Sequence, residues 1–177
     1  YNNVNSFITL AESVRQYCSD ARMLVIGSSE EYGNVAPDNI PIKETCPLHP
    51  QNPYAIARVA QEMLAKMYVQ SFGLDIVMTR SFNHIGPGQS EAFAIPSFVK
   101  QIVTAKNNNT SCTLKTGNID VVRDFIDVRD AVKAYYLLLD KGMTGEVYNI
   151  CSGNGYSLRT IITMLSEITS IHVVIEH

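Results

Sequence analysis

Nowhere along the 177 residues does a glycine-rich phosphate loop occur, neither the dinucleotide fingerprint nor the P-loop pattern. That absence leaves two readings open: the protein binds no dinucleotide, or the part that does lies outside this sequence. Other absences exclude more. No apolar run approaches bilayer-spanning length and no basic segment followed by an apolar one opens the chain, so no membrane partner is expected and the expected location is cytoplasmic. Lysine and arginine are scattered and the formal net charge is −3, which leaves no electrostatic footprint for nucleic acid. The four cysteines, Cys18, Cys46, Cys112 and Cys151, form no C-x-x-C pair and have no histidines at metal-ligand spacing. They read as reduced structural thiols, and no metal site is expected. There is no internal repeat, and the Asn107 to Asn109 run is the sole low-complexity feature.

What is present is the composition of a globular protein with a real core, 46% hydrophobic and 18% charged. The first residue is Tyr1, the opening is helix-like and the end, IHVVIEH, is strand-like, so a fragment of a longer protein is expected. VNSFITLAESVRQYC carries apolar residues at the i, i+3, i+4, i+7 spacing of an amphipathic helix. MLVIGSS follows as a continuous apolar run without alternation, the pattern of a strand covered on both faces in a parallel sheet. Residues 33–53 hold five of the seven prolines and read as a long irregular loop. Pro53 then opens a helix through Phe72 that Gly73 closes, and DIVMTRSFN repeats the buried-strand pattern. Beyond Gly88 the spacing predicts a helix in IPSFVKQIVTAK, a strand around CTLKTG, a strand and helix in VVRDFIDVRDAVKAYYLLLDK with Asp127 or Asp130 near the helix start, a strand in EVYNICSG and a helix in SLRTIITMLSEIT. Helix, buried strand and polar strand end in succession make a doubly wound α/β fold the expectation.

In such sheets ligands bind beyond the carboxyl ends of the parallel strands. Two strands end in polar clusters, GSSEEYG and RSFNHIGPGQ, with the tyrosine-bearing helix NPYAIARVAQEM between them. Tyr54 and Arg58 stand one helical turn apart, where a cation favours a phenolate; taken alone, such a pair is more often structural than catalytic. With a serine hydroxyl nearby, a tyrosine and a cation are the parts needed to move a proton onto a carbonyl oxygen during hydride transfer. Ser28 and Ser29 either satisfy free backbone groups at the strand end or, for Ser28, meet a reacting oxygen. Glu30 is either a substrate-side carboxylate or a solvated loop residue. Asn83 and His84 begin a tight polar turn, and Arg123 either pairs with Asp124 or Asp127 or presents its planar fork to a phosphate.

GSSEEYG, PYAIAR, RSFNHIGPGQ, VVRDFIDVRD and EVYNICSG, in this order and spacing, resemble the extended short-chain dehydrogenase/reductase family over essentially the whole chain. The resemblance is strongest to its GDP-sugar 4-keto reductases, with GDP-mannose 4,6-dehydratases as near relatives. It implies part of a Rossmann-like doubly wound parallel sheet plus part of a smaller C-terminal substrate-binding domain, with residues 1–84 the latter half of an NAD(P)-binding domain. Residues 85–177 would be mostly substrate domain, with 121–150 partly returning to the first sheet. It further implies NADP or NAD as cofactor, its main binding loop outside this sequence, a GDP-sugar substrate and a homodimer formed through the Tyr54 helix and its predecessor.

By resemblance, Ser28 orients the substrate oxygen, Tyr54 gives the proton, and Arg58 stands where the family keeps a lysine that holds the cofactor ribose. Phe82 and His84 fall at cofactor positions. Ser29, Asn83, Lys100 and Arg123 fall at substrate positions, the last gripping its phosphates. Asn3 matches an asparagine beside the active site. Glu30 falls where the dehydratases keep a proton-abstracting glutamate, so dehydration, or epimerisation at C4, stands as the alternative to reduction. A catalytically silent nucleotide-binding module is a third reading, raised by Arg58. Arginine keeps the charge but aims a longer planar fork, so activity is expected to be retained rather than abolished.

Overall fold

The unbroken apolar runs form neighbouring parallel strands, but only the second, over residues 76–81, is buried throughout; MLVIGSS, expected to be covered on both faces, lies at the edge of its sheet and leaves Ile26 38% exposed. A computed structural model describes residues 2–176; Tyr1 and His177, the outermost residues of the first and last predicted elements, lie outside that range. In chain order the elements are α1 (Asn2–Tyr17), β1 (Met23–Ser28), α2 (Pro53–Phe72), β2 (Ile76–Ser81), β3 (Asn83–Ile85), α3 (Ala94–Asn107), β4 (Cys112–Lys115), β5 (Val122–Asp127), α4 (Val128–Lys141), β6 (Val147–Ile150), β7 (Gly155–Ser157), α5 (Leu158–Thr169) and β8 (Val173–Glu176). The three-residue strands β3 and β7 are too short to show any periodicity, and the sequence does not predict them. Asp127 ends β5 and Asp130 lies in the first turn of α4.

Two compact units result, one running to His84 and resuming over Val128–Cys151, the other comprising Ile85–Asp127 and the residues from Ser152 onward. The first is Rossmann-like: β1, β2 and β6 form a parallel sheet in the order β1-β2-β6. In its register Ser28 lies opposite Ser81, and Ser81 opposite Ile150, so the three carboxyl ends are level. Central β2 is buried at all six positions, which explains why its sequence shows no alternation. On one face Ile76 and Met78 pack with Phe7 and Ala11 of α1 and Ala65 and Tyr68 of α2. On the other, Val77 closes on the end of α4, where a Cβ at Gly142 would fall 2.9 Å from Val77 Cγ1.

Helix α2 is fixed at both ends. Asn52 Oδ1 accepts the Ala55 amide at 2.8 Å, Pro53 takes the first helical position, and Gly73 (φ 68°) ends the helix in the left-handed region. The loop before it is tied back where the His49 amide donates to the Glu31 carbonyl at 3.1 Å. There Gly33 (φ 62°) is required, because a Cβ would lie 1.9 Å from the His49 carbonyl oxygen.

In the second unit β4 and β8 pair in parallel, and Cys112 and Leu114 point inward between polar neighbours. They share a core with Phe98 and Ile102 of α3 and Ile162 of α5. There β5 and β7 pair in antiparallel fashion, with Arg123 opposite Tyr156. Among the described residues no helix is long and apolar enough to cross a membrane.

Ile76 has no exposed surface. Ile76→Ala is expected to lower unfolding stability by about 3 kcal/mol, read as a shift of the urea midpoint without a change of slope.

Candidate active site

The carboxyl end of β1 delivers Ser28 to the level from which α2 starts. Ser28 is extended (φ −143°, ψ 143°), and its Oγ accepts the Glu30 amide at 3.2 Å. Its own amide donates to Glu31 Oε1 at 2.7 Å, completing a reciprocal cap of the short 3-10 turn Ser29–Tyr32. Glu30 reaches across to α2, where its Oε2 accepts from Asn52 Nδ2 at 2.7 Å. Because Asn52 also caps α2, one side chain joins the strand end bearing Ser28 to the helix start bearing Tyr54.

Tyr54 is 44% exposed, and the guanidinium carbon of Arg58 lies 5.1 Å from the centre of its ring. The predicted i, i+4 contact is therefore made through the ring face. Arg58 Nη1 donates to the Ile26 carbonyl at 3.0 Å and to Gln61 Oε1 at 2.9 Å, while Nε is buried without a hydrogen-bond partner. Among the described residues the Nη2 hydrogens make no hydrogen bond, and such a planar donor set fits a vicinal diol. Arg58 and Gln61 line a cleft of about 350 Å³ along β1, whose opposite wall includes Asn3 and Ser6 of α1.

Phe82, Asn83 and His84 follow β2. The Phe82 amide donates to the Ile150 carbonyl at 2.9 Å, continuing the sheet. The His84 ring meets the Tyr135 ring edge-on, with Nε2 3.2 Å from Tyr135 Oη, and that hydroxyl lies 2.7 Å from Ser81 Oγ. Burial holds the imidazole below its ordinary pKa, so it is neutral at pH 7. In the second unit, Arg123 is exposed with Nη1 donating to the Val122 carbonyl at 2.9 Å, and Lys100 pairs with Glu91. Asp124 accepts the amides of Ser152 and Gly153 at 2.8 and 2.7 Å. Ser29 is half-buried at the start of the 3-10 turn. Among the described residues, no group of three or more His, Cys, Asp or Glu could hold a metal.

Behind Ser28 lies a buried ionic cluster. Arg80 on β2 forks onto Glu62 of α2, Nε to Oε2 at 2.9 Å and Nη2 to Oε1 at 2.8 Å. Its Nη1 donates to Tyr32 Oη at 3.0 Å and the Glu44 carbonyl at 2.9 Å, and Tyr32 Oη donates to Asn149 Oδ1 at 2.7 Å. Burial opposes ionisation of Glu62, but hydrogen bonds from Arg80 and Lys66 outweigh it and hold the carboxyl below its usual range. Glu31 lacks that compensation: burial raises it to about 7, the Ser28 amide and Arg80 notwithstanding.

Residues 1–176 match the family model described as GDP-mannose 4,6 dehydratase. The chain belongs to that family, within the extended short-chain dehydrogenases/reductases. It is 38% identical over 171 residues to the GDP-6-deoxy-D-mannose reductase of Pseudomonas aeruginosa, covering 97% of this chain and 56% of that protein. The structure of RMD from the same organism complexed with NADPH superposes with a TM-score of 0.94 at 37% identity, over 98% of this chain and 59% of the other. The dTDP-glucose 4,6-dehydratase of Bacillus anthracis in complex with NAD superposes with a TM-score of 0.84 at 28% identity, over 99% and 56%. The chain thus spans a little over half the length of these dehydratase-family relatives.

Several residues that build this family member's site escaped the sequence reading. Asn52 and Glu31 had a signal, an N-cap residue before proline and an S-x-x-E spacing after the strand. Arg80, Glu62 and Tyr135 had none, since a buried ion pair or relay between distant elements leaves no local pattern.

Two outcomes are expected. Arg80→Met leaves Glu62 buried without its fork and costs about 3–5 kcal/mol by denaturant titration. Glu31, usually near 4.5 but about 7 when folded, keeps its proton in the folded state after the unfolded chain has lost it. Its contribution to stability therefore falls as pH rises from 4.5 to about 7. Burial of His84 acts oppositely below 6.5, where the unfolded chain binds the extra proton, so thermal melts of Glu31→Gln against the unsubstituted protein isolate the Glu31 component.

Proposed function

We propose that the full-length protein is an NAD(P)H-dependent oxidoreductase that reduces the 4-keto group of a GDP-4-keto-6-deoxyhexose to a GDP-6-deoxyhexose of the GDP-rhamnose type. The observation that carries this reading is the union of Ser28 with the Tyr54 and Arg58 pair through the Glu30 to Asn52 hydrogen bond at the carboxyl ends of parallel strands. The likeness to a GDP-6-deoxy-D-mannose reductase and to an NADPH-bound structure supports it.

When bound, NAD(P)H would supply the hydride for C4. Tyr54 releases its phenolic proton to the O4 oxygen, and Ser28 donates a hydrogen bond to the same oxygen, so the carbonyl becomes a neutral hydroxyl. Arg58 stabilises the phenolate left behind and, with Tyr54, Phe82 and His84, would hold the cofactor. Neutral His84 suits a hydrogen-bonding role there, oriented by Tyr135. Ser29, Asn83, Lys100 and Arg123 serve the nucleotide-sugar, the exposed fork of Arg123 on its diphosphate. The first unit is then the cofactor domain and the second mostly the substrate domain. Exposed Ile56 and Met63 on one face of α2 support a homodimer through α1 and α2, and the reaction class supports a cytoplasmic location.

A second reading, 4,6-dehydration with C4 epimerisation as a variant, is favoured by Glu30 at the strand end and by the spread of dehydratases among the relatives. Against it, Glu30 is already engaged by Asn52, which suits a tether. The silent-binder reading is favoured by the engagement of Arg58 Nη1 with Ile26 and Gln61.

Substrate exchange separates these. The full-length protein is expected to oxidise NADPH or NADH when given the GDP-4-keto-sugar and to leave GDP-mannose untouched; consumption of GDP-mannose would favour dehydration, and cofactor binding without oxidation a silent binder. Tyr54→Phe is expected to lower kcat by about a hundredfold or more. Arg58→Lys is expected to change it by less than about tenfold.

A further inference from the structure

The spacing from Ser28 to Glu31 does more than close a turn. It draws the Glu31 carboxyl under the strand end until none of the residue meets solvent. Oε1 takes the Ser28 amide at 2.7 Å, whereas Oε2 is buried without a hydrogen-bond partner and lies 4.0 Å from Arg80 Nε. A capping glutamate on an exposed turn keeps its second oxygen in water, and an apolar residue would fill the same space without burying a charge. The backbone is shaped to admit this one. A Cβ on Gly27 would fall 2.5 Å from Glu31 Oε1 and 2.4 Å from the Thr79 carbonyl oxygen. Gly27 and Glu31 are therefore one fitted arrangement, and the residue they hold between them is Ser28.

We propose that Glu31 is a positioning residue for Ser28, its buried carboxyl aiming the Ser28 hydroxyl through the Ser28 amide and doing so differently when neutral and when ionised. The effect on turnover rests on the reductase reading; the effect on the Ser28 backbone does not. The charged groups that face the carboxyl are Arg80 on β2 and Glu62 on α2; Lys66 pairs with Glu62, Tyr32 takes a bond from Arg80, and from the loop before α2 the Glu44 carbonyl accepts from Arg80 and the His49 amide donates to the Glu31 carbonyl. Burial favours the neutral form, the Ser28 amide and Arg80 favour the ionised one, and Glu62 opposes it. Loss of the proton strengthens the pull of Arg80 and the push of Glu62 together, so the carboxyl shifts and the Ser28 amide shifts with it.

The test uses the full-length protein labelled with nitrogen-15, its Glu31→Gln variant, which imitates the neutral carboxyl, and Glu31→Val, which removes the acceptor. The Ser28 amide resonance is expected to titrate with a midpoint at about 7 and to be flat in Glu31→Gln. kcat is expected to follow the same midpoint, with Glu31→Gln within about twofold of the unsubstituted enzyme below it and showing no step through it. Glu31→Val, folded by its amide spectrum, is expected to lose about tenfold in kcat at unchanged KM, a loss that Gln at the same position does not cause. A Ser28 resonance that does not titrate, or a folded Glu31→Val with full kcat, overturns the proposal. Should Glu31→Val fail to fold, the comparison of Glu31→Gln with the unsubstituted protein decides it. Should the full-length protein not reduce the keto-sugar, the reductase reading falls and the Ser28 titration still decides the role of Glu31.

Discussion

The guanidinium of Arg80 is the constraint around which the first unit is assembled. A buried cation is costly unless its donors are met in good geometry. Here the donors reach a carboxylate on α2, a phenol on the turn after β1 and a carbonyl in the long loop. Three segments distant in sequence are thereby held at one strand end. Tyr32 adds its ring face, 4.9 Å from the guanidinium carbon, and passes the connection on to Asn149 at the end of the third strand.

Because Glu62 sits in the middle of α2, that ion pair fixes the helix along its length, and Asn52 and Gly73 fix its ends. Tyr54 and Arg58 occupy the first turns of a helix that has little freedom left. The proposed chemistry needs that rigidity, since a proton donor must meet its acceptor within hydrogen-bond reach. Arg58 contributes to it as well as to charge, by holding the Ile26 carbonyl two residues before Ser28. A lysine offers a single ammonium in place of the planar fork, so it would aim its donors differently at Ile26 and Gln61.

The elements of this fold were legible because their causes are local. The unbroken run of β2 and the spacing in α1 state how many faces each element buries, and Pro53 and Gly73 mark the ends of α2. Strands β3 and β7 were not legible, because three residues carry no period and owe their form to the strands beside them. At the strand end Glu30 drew attention because the family resemblance points to it, while Glu31, next in the chain, turned out to be the buried one. The S-x-x-E spacing holds an unread distinction between the two, since it is the residue three positions after Ser28 that returns to its amide. The partners of Glu31 were beyond reach, because Arg80 and Glu62 meet through folding over long separations.

A dehydratase and a reductase of this family share a doubly wound frame and differ in where the hydride ends. A reductase leaves it on sugar C4, whereas a dehydratase lends it to the cofactor and takes it back within one turnover. The most direct measurement is therefore of the hydride itself: full-length protein, GDP-4-keto-6-deoxyhexose, and cofactor carrying deuterium at the transferable position. The account predicts one deuterium at C4 of the product for each cofactor oxidised. Product without label, or GDP-mannose consumed with no net oxidation of cofactor, would contradict it.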